Sequence, residues 1–589
     1  MSPRNFSDAL RDHGQRLLFD ALDSVSGAKA IVWDPQLMRR FNLLASISAL
    51  TQRNVIFNFS LDKGIRSDVE TLVYLVGESN EAMTMLMDCL NRSHQNQMHY
   101  IFFIPEGSFK RREQIEQLRC SVKLATTIQC VETLPIRLFP SPSQHSDVVS
   151  MLADDVVPRL VLDGDWTQLH RCAGALLQIE SMMSERPTIR YFGEWSMKMS
   201  AIVQQLRATK EDEKCDRTVG EALQIDEVLV IDRWTDPVTP LMTQRTYAGL
   251  IDEFFNIDEV GYTKVNANEF DEVEEDNSEK KISLKDEFFF EIRDSVVPGS
   301  VASKFKEIFD ELRRFEEECK NSRSLAEMKV SAKRLEGIVK KKQFGATHVR
   351  LTEMLNSRLQ NDFVYECVRF KNDILREISD KVLPFIENSI IDGEDITEVL
   401  KLIILQSLAS DGLRVETIDT YRRMVVHVGG YFNSDVNIFI QEYGHKCLPW
   451  FMSLQHAGLI REKGGELFLT LKTPIINGFS KSAKQMRVLV DEVNTAKPID
   501  ASFAYEGYAS LLVRHLESHD RSQWKTISGA KPILRAPKKL LFVIGGLTMA
   551  EISSIRLTLP DIVAICVTST VTGSQLIRSF DQSFVGFVN

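Results

Sequence analysis

Two kinds of hydrophobic spacing alternate along this chain. Ala30–Trp33, Leu72–Val76 and Tyr100–Ile104 are short, nearly continuous apolar runs, the pattern of strands buried on both faces of a parallel sheet. Between and after them, Leu37–Leu50 and Arg111–Leu118 repeat their apolar residues every three or four positions, which predicts helices and hence an α/β domain. Ile136–Phe139 starts a second such unit, followed by a helix over Trp166–Met183 and a strand at Val228–Ile231 that Asp232 ends. No further strand is evident nearby. The next clear runs are Leu540–Ile544 and Ile562–Val567, so we expect one sheet built from two distant segments, with everything between them inserted.

After Val228–Ile231, Pro237 and Pro240 punctuate a turn, and Thr239–Pro240 suits a helix start. Tyr247, Leu250, Ile251, Phe254 and Phe255 then form an inward face that leaves Asp252 and Glu253 in water. The insertion, about 249–478, is mainly helical. Asn266–Lys285, with its acidic run Asp271–Asp276, reads as a solvated mobile loop. Lys304–Cys319 predicts a helix. Leu325, Met328, Ala332, Leu335 and Val339 form a heptad-like seam, Lys340–Gly345 a basic tip bearing Phe344, and Leu351, Leu355 and Leu359 a second helix. Such a hairpin is either two ordinary bundle helices or a surface for an amphipathic partner helix.

Further on, Asp395 and Glu398 form a capping box before the apolar helix Val399–Leu408, which Gly412 ends. Helical sequence up to His456, then Lys463–Gly465 and Glu466–Leu471, has the outline of a helix followed by a hairpin. A winged-helix DNA reader shares that outline, but no dense Lys/Arg face accompanies it. The resulting division is 1–133, an α/β domain; 134–248 and 479–589, the two parts of a second α/β domain; and 249–478, the helical insertion. The fold class is α/β plus mainly α.

Composition narrows the function. With 589 residues, 43% hydrophobic and 26% charged, the chain is an ordinary globular protein of three or four domains at about 150 residues each. Its net charge of −11 supplies no global positive field for nucleic acid or anionic lipid, so we expect no nucleic acid partner and membrane association through partners. The nine cysteines are scattered, with no C-x-x-C pair, and read as reduced thiols of a cytosolic protein. The amino terminus does not look like a signal peptide, and no apolar run reaches the length of a membrane span.

Motifs for chemistry are sparse. No G-x-G-x-x-G, Walker loop, H-E-x-x-H or G-x-S-x-G occurs, and the eleven histidines do not pair at ligand spacing. We expect no catalytic residues, metal or cofactor. Gly545–Gly546 precedes Thr548 and Glu551, which read as a capping box rather than a phosphate cradle. Asp154–Asp155 and Asp163–Asp165 read as solvated loop carboxylates. Asp232, Arg233 and Asp236 stand just past a strand, where α/β sheets place ligand sites. They read either as a catalytic or metal group or as a structural knot at a domain junction, with the arginine donating to carboxylates and free carbonyls. No histidine, cysteine or further carboxylate lies close in sequence, which favours the knot. An α/β enzyme with a dispersed nucleotide or phosphate site is the remote alternative.

On these residues the chain resembles the Sec/Munc (SM) family of SNARE-binding proteins. IDRWTDPVTPLMTQRTYAGLIDEFF at 231–255 and LLFVIGGLTMAEISSIRL at 540–557 are similar to family signatures. AKAIVWD at 28–34, EIRDSVVPGSVASK at 291–304 and FAYEGYASLLVRHLE at 503–517 resemble the vacuolar/lysosomal branch, the SM subunit of class C tethering complexes. The likeness departs mainly at 264–285 and from Leu413 through Asn437. It implies a three-domain arch, its middle sheet split by the helical insertion, and a non-enzymatic protein that clasps and templates SNARE helices during vesicle docking and membrane fusion. It also implies a hetero-oligomeric complex with an α-solenoid subunit, of the HOPS/CORVET type or alternatively the CHEVI type. The implied location is cytoplasmic and peripheral on late endosome, lysosome or vacuole membranes. The hairpin at Leu325–Leu359 corresponds to the family's SNARE-contacting element, which makes Lys340, Lys341, Lys342, Phe344, Arg350 and Leu351 the candidate contacts.

Overall fold

The computed structural model describes residues 6–581 apart from 66–68, 95, 121–125, 142–146, 152, 154, 184, 213–223, 272–277, 321–324, 379–380, 428–430, 434–437, 441–442, 465–478 and 530–536. Strands β1 (Lys29–Trp33), β2 (Val55–Ser60), β3 (Thr71–Val76), β4 (Met98–Phe103) and β5 (Ile128–Thr133) form a parallel sheet in the order β2-β1-β3-β4-β5. The central three match the apolar runs. The edge strands β2 and β5 went unforeseen because a half-exposed strand does not need a continuous apolar run, and both carry several solvent-facing residues. The helix expected over Leu37–Leu50 is two short ones, Pro35–Phe41 and Ile47–Thr51, the second capped by Ser46. Helix α1 (Phe109–Arg119) follows β4 and is capped by Ser108.

The second sheet contains β6 (Leu138–Pro140), β7 (Val148–Met151), β8 (Thr188–Phe192), β9 (Glu227–Asp232), β10 (Lys525–Ile527), β11 (Lys539–Ile544) and β12 (Ile562–Val567), in the order β10-β8-β9-β11-β12-β7-β6. Distant segments do share one sheet: Val230 pairs with Phe542, and Phe542 with Cys566. The expectation that local strands are missing is corrected, since β7 and β8 lie in the first segment. They are short, and the apolar run of β8 is interrupted by Arg190, which reaches Glu227. Strand β9 is buried throughout, and each of its large apolar side chains contributes about 1.5–3 kcal/mol by leaving water. Helix α2 (Glu194–Asp212) follows β8.

Between β9 and β10 the chain is mainly helical. Thr239–Pro240 opens a single 3-10 turn, and helix α3 (Tyr247–Phe255) starts later, capped by Thr246. The expected loop at Asn266–Lys285 is instead an antiparallel ribbon, Tyr262–Asn266 with Glu279–Ser283, joined through the helix Ala267–Asp271. Most of its acidic run lies outside the described residues. Helices α4 (Glu287–Ile292), α5 (Gly299–Lys320) and α6 (Leu325–Leu359) come next, and α5 packs beside α6.

The hairpin with a tip at Lys340–Gly345 is therefore overturned: those residues are in the middle of one continuous 35-residue helix. Gly345 is there because a Cβ would come within 2.7 Å of the Phe309 ring and 2.8 Å of the Phe288 ring. It permits close packing and does not mark a turn. The side chains of Leu325, Met328 and Ala332 lie outside the described residues, while Val339 is exposed and so no part of a seam.

Helices α7 (Asp362–Leu375) and α8 (Ile396–Ala409) complete the central packing. Asp395 caps α8 through the Thr397 amide, but Glu398 turns away to two lysines, so the capping box is half right. Gly412, with φ +108°, follows this helix as expected. A helix does reach His456, whereas the hairpin expected at Lys463–Leu471 falls largely outside the described residues. After β11, helix α9 (Met549–Thr558) carries the full Thr548–Glu551 capping box. No helix among the described residues is long and apolar enough to cross a membrane.

Candidate functional site

Arg233 lies directly after β9 with no solvent exposure. Its Nη1 donates to both Glu551 oxygens, at 2.8 and 2.7 Å, while Nε and Nη2 donate to the Asp236 carbonyl at 3.1 and 2.6 Å. The Asp236 carboxylate accepts the amides of Thr239 and Leu512, each at 3.0 Å, and the hydroxyls of Thr239 and Ser510. Ser510 also donates to Glu551 at 2.7 Å, and the hydroxyls of Tyr508 and Tyr505 meet those of Thr239 and Thr548.

This is the structural knot, made from three segments remote in sequence. Burial works to lower the Arg233 pKa, but Glu551 and Asp236 outweigh it and the net shift is upward, so the arginine stays charged. Sequence reading missed Glu551 as its counter-ion. The recognisable signal was Glu551 itself, a capping-box acid on a strand-end helix, but nothing along the chain says that β9 and β11 are neighbours.

Asp232 does not join the knot. Its two oxygens accept the Trp195 and Ser196 amides, both at 2.7 Å, at the start of α2. Gly193, with φ +106°, leaves room for it, since a Cβ there would lie 2.1 Å from the carboxylate. Burial pushes the Asp232 carboxyl from its ordinary 3.8 up to about 8, against the amides that favour the anion. An acid whose folded pKa is raised contributes stability that is complete below its unfolded value and lost as pH rises through its folded value. We expect the parent's melting temperature to fall as pH rises toward 8, and Asp232→Asn to flatten that dependence. A variant that keeps the parent's slope would disprove the assignment.

Two more polar joints attach the insertion. Lys401 lies between Glu253 at 3.4 Å and Glu398 at 2.5 Å, and Lys371 reaches Glu398 at 2.8 Å and the Thr243 hydroxyl at 3.0 Å. Asp252 and Glu253 are thus buried, not wet as the helical pattern suggested. Burial pushes the Asp252 carboxyl up to about 7. The second joint is His348, on α6 and fully buried. Its Nδ1 bonds the Tyr247 hydroxyl at 2.9 Å, and its Nε2 faces the Asp286 carboxylate at 3.1 and 3.2 Å. The imidazole stacks on Phe288 with 8° between planes. One side chain thereby fixes α6 against α3 and the start of α4.

The candidate contacts on α6 separate into three groups. Lys341 and Lys342 are engaged by Glu291 and Glu316. Arg350 donates to the Phe270 carbonyl at 2.9 Å and to Glu353. Leu351 is fully buried in the core that contains Tyr247 and Leu355, so it cannot be a surface contact, and its apolar repeat signalled packing. Lys340, Phe344 and the neighbouring Val339 remain outward, at 62%, 44% and 52% exposure, with Lys340 also donating to Glu336 of its own helix at 2.8 Å. None of these lines the large central cleft, a cavity of about 970 Å³. Asp34 and Arg39 of the first domain, Thr568 at the end of β12, and Phe289 and Arg293 of the insertion are among its walls. Arg40 and Glu259 pair between the first domain and the insertion. Among the described residues no three His, Cys, Asp or Glu side chains converge as a metal site.

A sequence profile of the Sec1 family matches residues 29–579. The chain is 30% identical to vacuolar protein sorting-associated protein 33A of Caenorhabditis elegans, over 96% of this chain and 95% of that protein. It is 28% identical to the protein of the same name from Rattus norvegicus, over 93% and 92%. Its fold is similar to that of the SM protein Vps45, with TM-score 0.58, 14% identity and 99% of both chains covered. Vps45 solved in complex with the Qa SNARE Tlg2 matches at TM-score 0.59 and 15% identity, again over 99% of both. The split parallel sheet, the helical insertion and these likenesses together place the chain in the Sec1 family, on its vacuolar/lysosomal branch.

Proposed function

We propose that the chain binds SNARE helices along the outward face of α6 and aligns them for pairing during endosomal and lysosomal membrane fusion. The observation that carries this reading is a helix of 35 residues, about 50 Å long at 1.5 Å per residue, that keeps Val339 and Phe344 in water beside Lys340. A partner helix with an apolar stripe and acidic flanks would cover Phe344 together with Lys340, which stands one turn before it on the same side of α6. Holding two flexible helices on one rigid support removes part of their ordering cost and raises their effective concentration. Support comes from the relatives named for vacuolar protein sorting and from a fold shared with an SM protein solved with a Qa SNARE. We place the protein on late endosome, lysosome or vacuole membranes, in a hetero-oligomeric tethering complex with a class C α-solenoid subunit. HOPS/CORVET-type membership is the favoured reading and CHEVI-type the alternative.

The test combines Phe344→Ala with Lys340→Glu and leaves Lys341 and Lys342 alone because they hold Glu291 and Glu316. Affinity for a SNARE motif is expected to fall by about 2 kcal/mol, roughly thirtyfold. The melting temperature should change little, since both side chains are exposed and the Lys340–Glu336 pair that is lost lies on the surface. Undiminished binding would remove α6 as the SNARE surface.

A further inference from the structure

Helix α1, in the first domain, opens with Phe109, Lys110, Arg111 and Arg112. Phe109 is 83% exposed. Lys110 and Arg112 are exposed and Arg111 is half-buried. Arg112 donates to the Thr133 hydroxyl, and neither Lys110 nor Arg111 forms an ion pair among the described residues. Nearby acids do little to offset these cations: Glu106 is held by Arg137 and Glu116 by Arg119, leaving Glu113 one turn on. Cations in the first turn also oppose the helix dipole, which prefers acids there. The local arrangement is unfavourable without an anionic partner.

We propose that Phe109 and its three cations form a contact for an anionic lipid surface. A phenyl ring this exposed protrudes from the protein instead of lining a groove, so its partner must supply the apolar volume. The boundary between headgroups and acyl chains supplies it without requiring a complementary shape. The cations then lie at headgroup level, where each strengthens binding about fivefold and three together on the order of a hundredfold. The chain's net charge of −11 does not cancel this, because charges beyond about 10 Å are screened at ordinary ionic strength. The inference does not rest on the α6 reading, and its failure would leave that reading unchanged.

The experiment is co-flotation of the full chain with vesicles of phosphatidylcholine, with and without phosphatidylserine, at low and high salt. The parent should bind the anionic vesicles more tightly, on the order of a hundredfold at low salt, and lose that preference at high salt. Lys110→Glu with Arg112→Glu should abolish the preference, and Phe109→Ser should weaken binding to the anionic vesicles. Both variants should melt with the parent. The proposal is overturned if the parent floats equally with both vesicles or with neither, or if the variants float as the parent does. Loss of SNARE binding by Phe109→Ser with vesicle binding intact would assign the patch to a protein partner and also overturn it.

Discussion

Glu551→Ala is expected to destabilise the protein by about 3–5 kcal/mol, the cost of stranding one charge of a buried pair. The effect is large because Glu551 serves four groups at once: the Arg233 guanidinium, the Ser510 hydroxyl, and the amide and hydroxyl of Thr548. Arg233 would be left fully buried with the Asp236 carbonyl as its hydrogen-bond acceptor and the Asp236 carboxylate, at 3.4 Å and already engaged by two amides, as its remaining counter-ion. Melting temperature and soluble yield should both drop sharply. Arg233→Met combined with Glu551→Met is expected to melt above either single replacement, because the guanidinium and its main counter-ion then leave together while the Asp236 carboxylate keeps the Thr239 and Leu512 amides and the Thr239 and Ser510 hydroxyls. If Glu551→Ala melted like the parent, water would have to reach Arg233, and the junction would not be the sealed knot described above.

The second large effect is expected for His348→Leu. This replacement keeps the volume but removes the partner of two buried groups, the Tyr247 hydroxyl and the Asp286 carboxylate. Tyr247 then keeps the residue-348 carbonyl at 3.3 Å and Asp286 the Phe289 amide at 2.9 Å, and losing the two bonds to the imidazole should cost about 2–4 kcal/mol. The change also has a pH signature. Burial works to raise the Asp286 pKa, but its hydrogen bond and charge interaction with His348 outweigh that, and the net shift is downward. An acid with a lowered folded pKa contributes stability that is present above its unfolded value and lost as pH falls through its folded value. In His348→Leu the burial effect remains while only backbone amides still favour the anion, so the Asp286 pKa rises relative to the parent. The parent therefore loses this contribution as pH falls through the carboxylate range and the variant does not. The gap between their melting temperatures should narrow on acidification, and a gap that stays constant with pH would show that His348 does not hold the Asp286 anion.

Much of the architecture is legible in the chain because buried strands and caps have local signatures. The runs that became β1, β3, β4, β9, β11 and β12 need no tertiary knowledge, since a strand covered on both faces must be apolar throughout. The Thr548–Glu551 box is equally local, its two reciprocal bonds spanning three residues. Where the pattern misled, a glycine or an acid had a partner from elsewhere. Gly345 looked like a turn and is instead where α6 meets Phe309 and Phe288. Glu253 looked solvated and instead pairs with Lys401. Leu351 belonged to an apolar repeat whose inward direction only packing could show.

By itself the sequence determined the α/β class, the long helical insertion, the family resemblance and the presence of a polar cluster after β9, all of which depend on spacing within about twenty residues or on recognisable motifs. Tertiary structure alone decided which carboxylate faces Arg233, that Asp232 caps α2 instead, that α6 is unbroken, and which of its residues remain outward. The reason is physical. Buried charges and close backbone approaches are satisfied by whatever the fold brings within about 3 Å, and the partners of Arg233, His348 and Gly345 include residues far away along the chain.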